Sequence, residues 1–154
     1  MGASSNGARQ RVVVVVGPTA RGETSLAMAL AQRFFGEIVS ADSVQWIKGF
    51  DIGSAKPTPE ERALVPHHLV DCLSPDDAAD VALFVRLARA AIADIGARGK
   101  LPIVCGGTGL YCRALLGGLV ELPGRDPTKR AEYEALLAAK GLGALCARLT
   151  TQDP

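Results

Sequence analysis

Between an apolar run and an amphipathic one lie Gly17, Pro18, Thr19, Ala20, Arg21, Gly22, Glu23 and Thr24, and this junction leaves the chain few folds to choose from. Arg11 to Val16 is a β-branched run without alternation, the pattern of a strand buried on both faces of a parallel sheet. Leu26, Ala27, Leu30, Ala31 and Phe34 recur at helical spacing and form one helix face. A strand, a glycine loop and a helix whose positive N-terminus faces that loop make an anion site before any side chain is counted. The loop follows G-x-x-x-x-G-K-[ST], a pattern in which backbone N–H groups curl round phosphate oxygens, a Lys neutralises them and a hydroxyl helps hold Mg²⁺. Gly17, Gly22 and Thr24 fit it, whereas Glu23 stands at the Lys position.

A length of 154 residues suits one domain, and 48% hydrophobic content is enough for a core. With 17 basic and 16 acidic residues, the net charge of +1 exerts no general pull on nucleic acid, so RNA contact has to come from a local patch. Cys72, Cys105, Cys112 and Cys146 lack C-x-x-C spacing and sit in apolar stretches, which points to buried reduced thiols rather than a metal or disulfide framework. The N-terminus shows no signal-peptide pattern, and the aliphatic runs are too short to span a bilayer; a soluble, cytoplasmic protein is expected. Met1-Gly2 does not begin a myristoylation signal, because Asn6 occupies the position that wants Ser or Thr. Residues 1–10 read as a flexible leader and 11–154 as the domain.

After the first helix, Gly36 ends the periodicity and Glu37 to Ser40 reads as a second strand. Ala41 to Gln45 then falls at a strand's carboxyl end, the edge of an α/β sheet where ligands bind. Gly49 to Pro59 is a loop, closed by the capping box Thr58-Pro59-Glu60-Glu61 and a brief helix to about Leu64. His67 to Cys72 is expected to be a third strand, whose adjacent histidines point to opposite faces and so do not share a metal. A long helix starting near Asp80 carries Leu83, Phe84, Leu87, Ala88, Ala91, Ile92 and Ile95 as its stripe and stops at Gly99. Leu101 to Cys105 is a fourth, buried strand running into Gly106-Gly107-Thr108-Gly109, a second glycine turn. Leu110 to Leu116 is a short helix, Leu119 to Asp126 a connection, and Asp126-Pro127 caps a helix through Lys140, with another segment from Gly141-Leu142 to near Leu149. Strands alternating with helices argue for a doubly wound α/β layer structure.

Five motifs line up in one order: G-P-T-A-x-G-x-T (17–24), S-A-D-S-x-Q (40–45), D-I-G-S-A-K-P-T-P-E-E-R (51–62), V-P-H-H-L-x-D (65–71) and G-G-T-G-L-Y (106–111). In this set the chain resembles the tRNA dimethylallyltransferases, also called tRNA isopentenyltransferases. The resemblance implies a P-loop NTPase-like, three-layer doubly wound parallel sheet, truncated here, since family members are longer and the match is to their N-terminal part. It implies transfer of a dimethylallyl group from dimethylallyl diphosphate to N6 of adenosine 37 in tRNA, by an enzyme expected to be monomeric at full length and not bound to membranes.

The family roles carry over residue by residue. Gly17, Pro18, Thr19, Ala20, Arg21, Gly22, Glu23 and Thr24 occupy the diphosphate cradle, and Thr24 would carry the Mg²⁺. Asp42 is the candidate base for N6, because an aromatic amine is a poor nucleophile until its proton can leave. Asp42, Ser43, Val44 and Gln45 match a segment that contacts the target nucleotide, Thr108 lies near the reaction channel, and Arg130 matches a position that meets tRNA. Each residue also has a plainer reading: Asp42 as the cap of a turn, Thr108 and Gly106 as turn-formers, Arg130 as a solvated cation, and Trp46 as packing rather than a stacking platform. Glu23 reverses a cation beside a polyanion, a swing of two charges that predicts weakened diphosphate binding, with Arg21 a candidate replacement guanidinium. The other readings kept are a catalytically dead remnant that binds diphosphate or RNA weakly, and a P-loop nucleotide kinase or ATPase.

Overall fold

The computed structural model describes residues 10–17, 22–118 and 126–152. The chain divides into two compact units, 1–119 and 120–154.

The first unit holds a four-stranded, all-parallel sheet in the order β1-β4-β2-β3, formed by β1 (Val13–Val15), β2 (Gly36–Ser40), β3 (His67–His68) and β4 (Leu101–Cys105). Ile38 pairs with Ile103 on one side and with His67 on the other. Helix α1 (Glu23–Phe34) packs on one face through Ala27 and Ala31 against Val15, Ile38 and Ile103. Helices α3 (Val81–Ala97) and α4 (Gly109–Gly117) cover the other face through Phe84, Ala88, Cys112 and Leu115 against Val39 and Val104. Helices on both faces of a parallel sheet are the three-layer, doubly wound class that the alternation of elements predicted.

The local signals act where the sequence puts them. Thr58 Oγ1 accepts from Glu61 N at 3.2 Å while Glu61 Oε2 accepts from Thr58 N at 2.8 Å, which starts α2 (Pro59–Leu64) with a reciprocal cap. Asp80 caps α3 through Leu83 N at 2.8 Å. At Gly22 the chain enters α1 with φ 93°, a left-handed conformation open to glycine at little cost. A Cβ on Gly106 would lie 2.5 Å from the Ala41 carbonyl oxygen, so the two strand-end turns touch only because that side chain is absent.

Three expectations are corrected. β1 is not buried on both faces: it stands at the edge of the described strands, Val13 and Val14 are half-buried, and Val16 is 56% exposed. The third strand ends after His68 instead of Cys72, because Leu69 (φ 61°) and Asp71 (φ 53°) turn the chain so that Asp71 N reaches Gln45 O and Leu73 bridges to Ile47. Trp46 takes its plainer, packing reading: it is fully buried, stacked on Phe84 and Tyr111 with centroids 5.6 and 5.3 Å away. Of the cysteines expected to be buried, Cys105 and Cys112 are and Cys72 and Cys146 are exposed.

The second unit is α5 (Pro127–Gln152), interrupted at Gly141 (φ 73°, ψ 177°), where the sequence places the break. Arg148 returns to the first arm, donating to Glu132 Oε1 at 2.9 Å and lying 4.9 Å over the Tyr133 ring. Residues 1–9 of the predicted leader and 119–125 of the predicted connection lie outside the described residues.

Candidate active site

At the carboxyl ends of β2, β3 and β4 the first unit opens a cleft of about 200 Å³. One wall is the N-terminus of α1, with Gly22, Glu23 and Thr24; another is the strand-end segment carrying Ser40, Asp42 and Gln45; Gly106 and Gly107 close a third side. The helix N-terminus brings backbone N–H groups and a partial positive charge to this space. The Glu23 side chain reaches Gly17, its Oε1 3.0 Å from where a Cβ on Gly17 would stand. Pro18, Thr19, Ala20 and Arg21 lie outside the described residues.

Asp42 holds its own turn in place. Its Oδ1 accepts from Val44 N at 2.8 Å and Gln45 N at 3.2 Å, and those two bonds fill that oxygen's lone pairs. Oδ2 is therefore the oxygen on which further chemistry can occur. The capping role and the cleft-lining position coexist in one side chain.

Gln45 knits this turn to the 49–57 loop, donating through Nε2 to Ser54 O at 3.3 Å and Ala55 O at 2.9 Å. Lys56 secures the same loop from beneath. Its Nζ, almost wholly buried, donates to Ile47 O at 2.9 Å and to Asp51 and Asp71 Oδ1 at 2.7 Å each, which accounts for all three of its hydrogens. Arg62 takes the other Asp71 oxygen at 2.7 Å, and the pair of cations holds the Asp71 carboxyl below the usual carboxylate range.

Two further groups border the cleft. His67 Nδ1 bonds Val65 O at 2.7 Å, and since a carbonyl can only accept, Nδ1 carries the hydrogen; burial pushes the ring's pKa down, toward the neutral form. Burial, with the charge of Glu23 adding to it, pushes the Cys105 thiol up to about 11, which keeps it protonated and unreactive. Among the described residues no cluster of three acidic, His or Cys side chains could hold a metal. Thr24 and Asp42 line the same cleft and carry the kind of oxygen atoms that a hard cation takes as ligands.

The predicted residues thus separate into groups. Gly22, Glu23, Thr24, Asp42 and Gln45 line the cleft, while Ser43 and Val44 are exposed on the turn beside it. Thr108 starts α4, its N–H reaching Ala41 O at 3.3 Å, next to the lining Gly107. Arg130 belongs to the second unit, its side chain 81% exposed and bonded through Nε to Glu134 at 2.9 Å. Sequence reading assigned no role to Ser40, Lys56 or Cys105 and considered His67 only to set a metal role aside. A period-2 count from Ile38 would have found Ser40, whereas nothing local marks Lys56 as buried.

These features define the class: a doubly wound α/β protein with a cleft between a glycine-started helix and the strand ends. The IPP transferase family model matches residues 45–154, and a second model, isopentenyl transferase, matches 10–66. The chain belongs to the IPP transferase family. It is 61% identical over 144 residues to a tRNA dimethylallyltransferase of Anaeromyxobacter dehalogenans, covering 94% of this chain and 48% of that protein. Among solved structures, the tRNA isopentenylpyrophosphate transferase of Bacillus halodurans superposes with a TM-score of 0.71 at 43% identity, over 95% of this chain and 48% of that one. A eukaryotic dimethylallyltransferase acting on tRNA gives 0.70 at 30% identity, over 83% and 35%. The chain spans about half the length of the curated relatives it matches.

Proposed function

We propose that this chain supplies the donor cradle and base of a tRNA dimethylallyltransferase, which moves a dimethylallyl group from dimethylallyl diphosphate to N6 of adenosine 37. The observation that carries the reading is that Asp42 shares one cleft with Gly22 and Thr24 at the start of α1. A leaving diphosphate develops charge on its oxygens, and the N–H groups at the start of α1 face that charge. On the other wall Asp42 Oδ2 takes the proton that N6 loses as it attacks the allylic carbon, so bond formation and charge neutralisation proceed together. Thr24 is the residue that would hold Mg²⁺, which would offset phosphate charge. Ser43, Val44, Gln45 and Thr108 would meet the target nucleotide and Arg130 the tRNA, within a monomeric cytoplasmic enzyme. No helix among the described residues is long and apolar enough to cross a membrane.

The test is calorimetric titration of the chain with dimethylallyl diphosphate and Mg²⁺, run beside ATP. Saturable binding of the prenyl diphosphate with weaker binding of ATP supports the reading. Binding of ATP alone, with hydrolysis, would favour a nucleotide kinase or ATPase and overturn it.

A further inference from the structure

The amide of Gln45 decides which way the Ser40 hydroxyl points. Gln45 Nε2 lies 2.9 Å from Ala55 O and 3.3 Å from Ser54 O, and carbonyl oxygens can only accept, so the amide nitrogen must face them. The amide oxygen is thereby turned to Ser40 Oγ, 2.9 Å away, and it too can only accept. Ser40 has a single hydroxyl hydrogen, and that hydrogen is committed to Gln45. What Ser40 offers in any other direction is lone pairs.

Ser40 is 3% exposed and lies on the wall of the cleft, two residues before Asp42. On this wall Asp42 also offers only acceptors, since its carboxylate takes hydrogens and gives none. His67, whose Ile38-paired position puts it on the same sheet face as Ser40, directs its hydrogen to Val65 O and so adds no donor. The partners that hold Gln45 are themselves held, through Lys56 and its three acceptors.

We propose that Ser40 is a specificity-determining residue: fixed as an acceptor by Gln45, a positioning residue, it pairs with Asp42 to admit an exocyclic amino group and to reject an oxo group. The inference rests on the adenosine reading above. An amino group brings two hydrogens, one for Asp42 Oδ2 and one for Ser40 Oγ. At position 6 an oxo base such as hypoxanthine brings only lone pairs, its one hydrogen on that edge lying on N1, so its O6 meets two acceptors with nothing between them.

The experiment compares two hairpin RNAs, identical except for adenosine or inosine at one unpaired loop position, by fluorescence anisotropy with the 154-residue chain. The unaltered chain is expected to prefer the adenosine hairpin by about 10-fold or more. Ser40→Ala should shrink that preference to about 2-fold, and Ser40→Thr, which keeps the hydroxyl, should retain most of it. Gln45→Met frees the hydroxyl to rotate and donate, so affinity for the inosine hairpin should rise by about 10-fold. A merely structural Gln45 would lower both affinities together, and that result, or equal affinities in the unaltered chain, overturns the inference. A Gln45→Met chain that gains affinity for inorganic pyrophosphate instead would put Ser40 on the anion side and overturn it as well. If neither hairpin binds the unaltered chain, the transferase reading itself falls; binding without discrimination removes the Ser40 assignment alone.

Discussion

Two carboxylates on β2 and just beyond it show how one sheet treats its two ends. Glu37, at the amino end, is buried with both oxygens occupied: Arg98 reaches each of them, Lys100 takes Oε1 at 2.7 Å and His68 takes Oε2 at 2.7 Å. These bonds, with that of Arg98 the largest influence, outweigh the cost of burial and hold the Glu37 carboxyl far below the usual range. Asp42, at the carboxyl end, has one oxygen filled by backbone N–H groups and lines a cleft. A carboxylate surrounded by cations stabilises a fold; one left half-committed beside a helix N-terminus can do chemistry.

If that contrast is right, altering the two residues should have opposite kinds of effect. The largest is expected at Asp42. In a chimera carrying Lys at position 23 and the C-terminal half of the Anaeromyxobacter dehalogenans relative, Asp42→Asn should slow single-turnover prenyl transfer by about 10³-fold. Its melting temperature should barely move, because the Asn oxygen can accept the same two N–H bonds. Glu37→Ala should behave the other way round, costing about 3 kcal/mol in urea unfolding while leaving diphosphate affinity of the folded chain unchanged.

Acid sharpens the same point. The Glu37 carboxyl is lowered in the folded state, so its contribution is full above the pKa of the unfolded chain and is lost as pH falls from there toward the folded value. Acid unfolding monitored by circular dichroism should show that loss in the unaltered chain and not in Glu37→Ala.

A smaller effect is expected at the charge reversal in the cradle. Glu23→Lys should tighten dimethylallyl diphosphate binding by about 10- to 100-fold at low salt, and the gain should shrink as ionic strength rises. An unchanged affinity would mean that the α1 N–H groups carry the anion regardless of residue 23. Smallest is Thr58→Ala, which removes one side of the α2 capping box and should cost about 1 kcal/mol, measured by thermal melting with no change at the cleft.

How much was legible from the residues differs along the chain for a physical reason. The strand at Val13–Val15, the helix over Glu23–Phe34, the caps at Thr58 and Asp80 and the break at Gly141 rest on neighbours a few positions apart, and these were readable in advance. The motif around Asp42 likewise fell at a strand end, as read, since S-A-D-S-x-Q begins on the last residue of β2 wherever the next strand falls. The extent of β3 was not readable: the strand-like run of 67–72 was outweighed by hydrogen bonds from Asp71 to Gln45 and from Lys56 to Asp71, 26 and 15 positions away.

Order along the chain was enough to settle the class of fold, the family and the cleft-facing position of Asp42, because hydrogen-bond caps, glycine turns and hydrophobic periods are local quantities. The direction of the Ser40 hydroxyl, the burial of Trp46 and Lys56 and the cation cluster on Glu37 depended on side chains brought together from distant segments. Such contacts exist only once the sheet has chosen its strand order, and no stretch of a few residues encodes that choice.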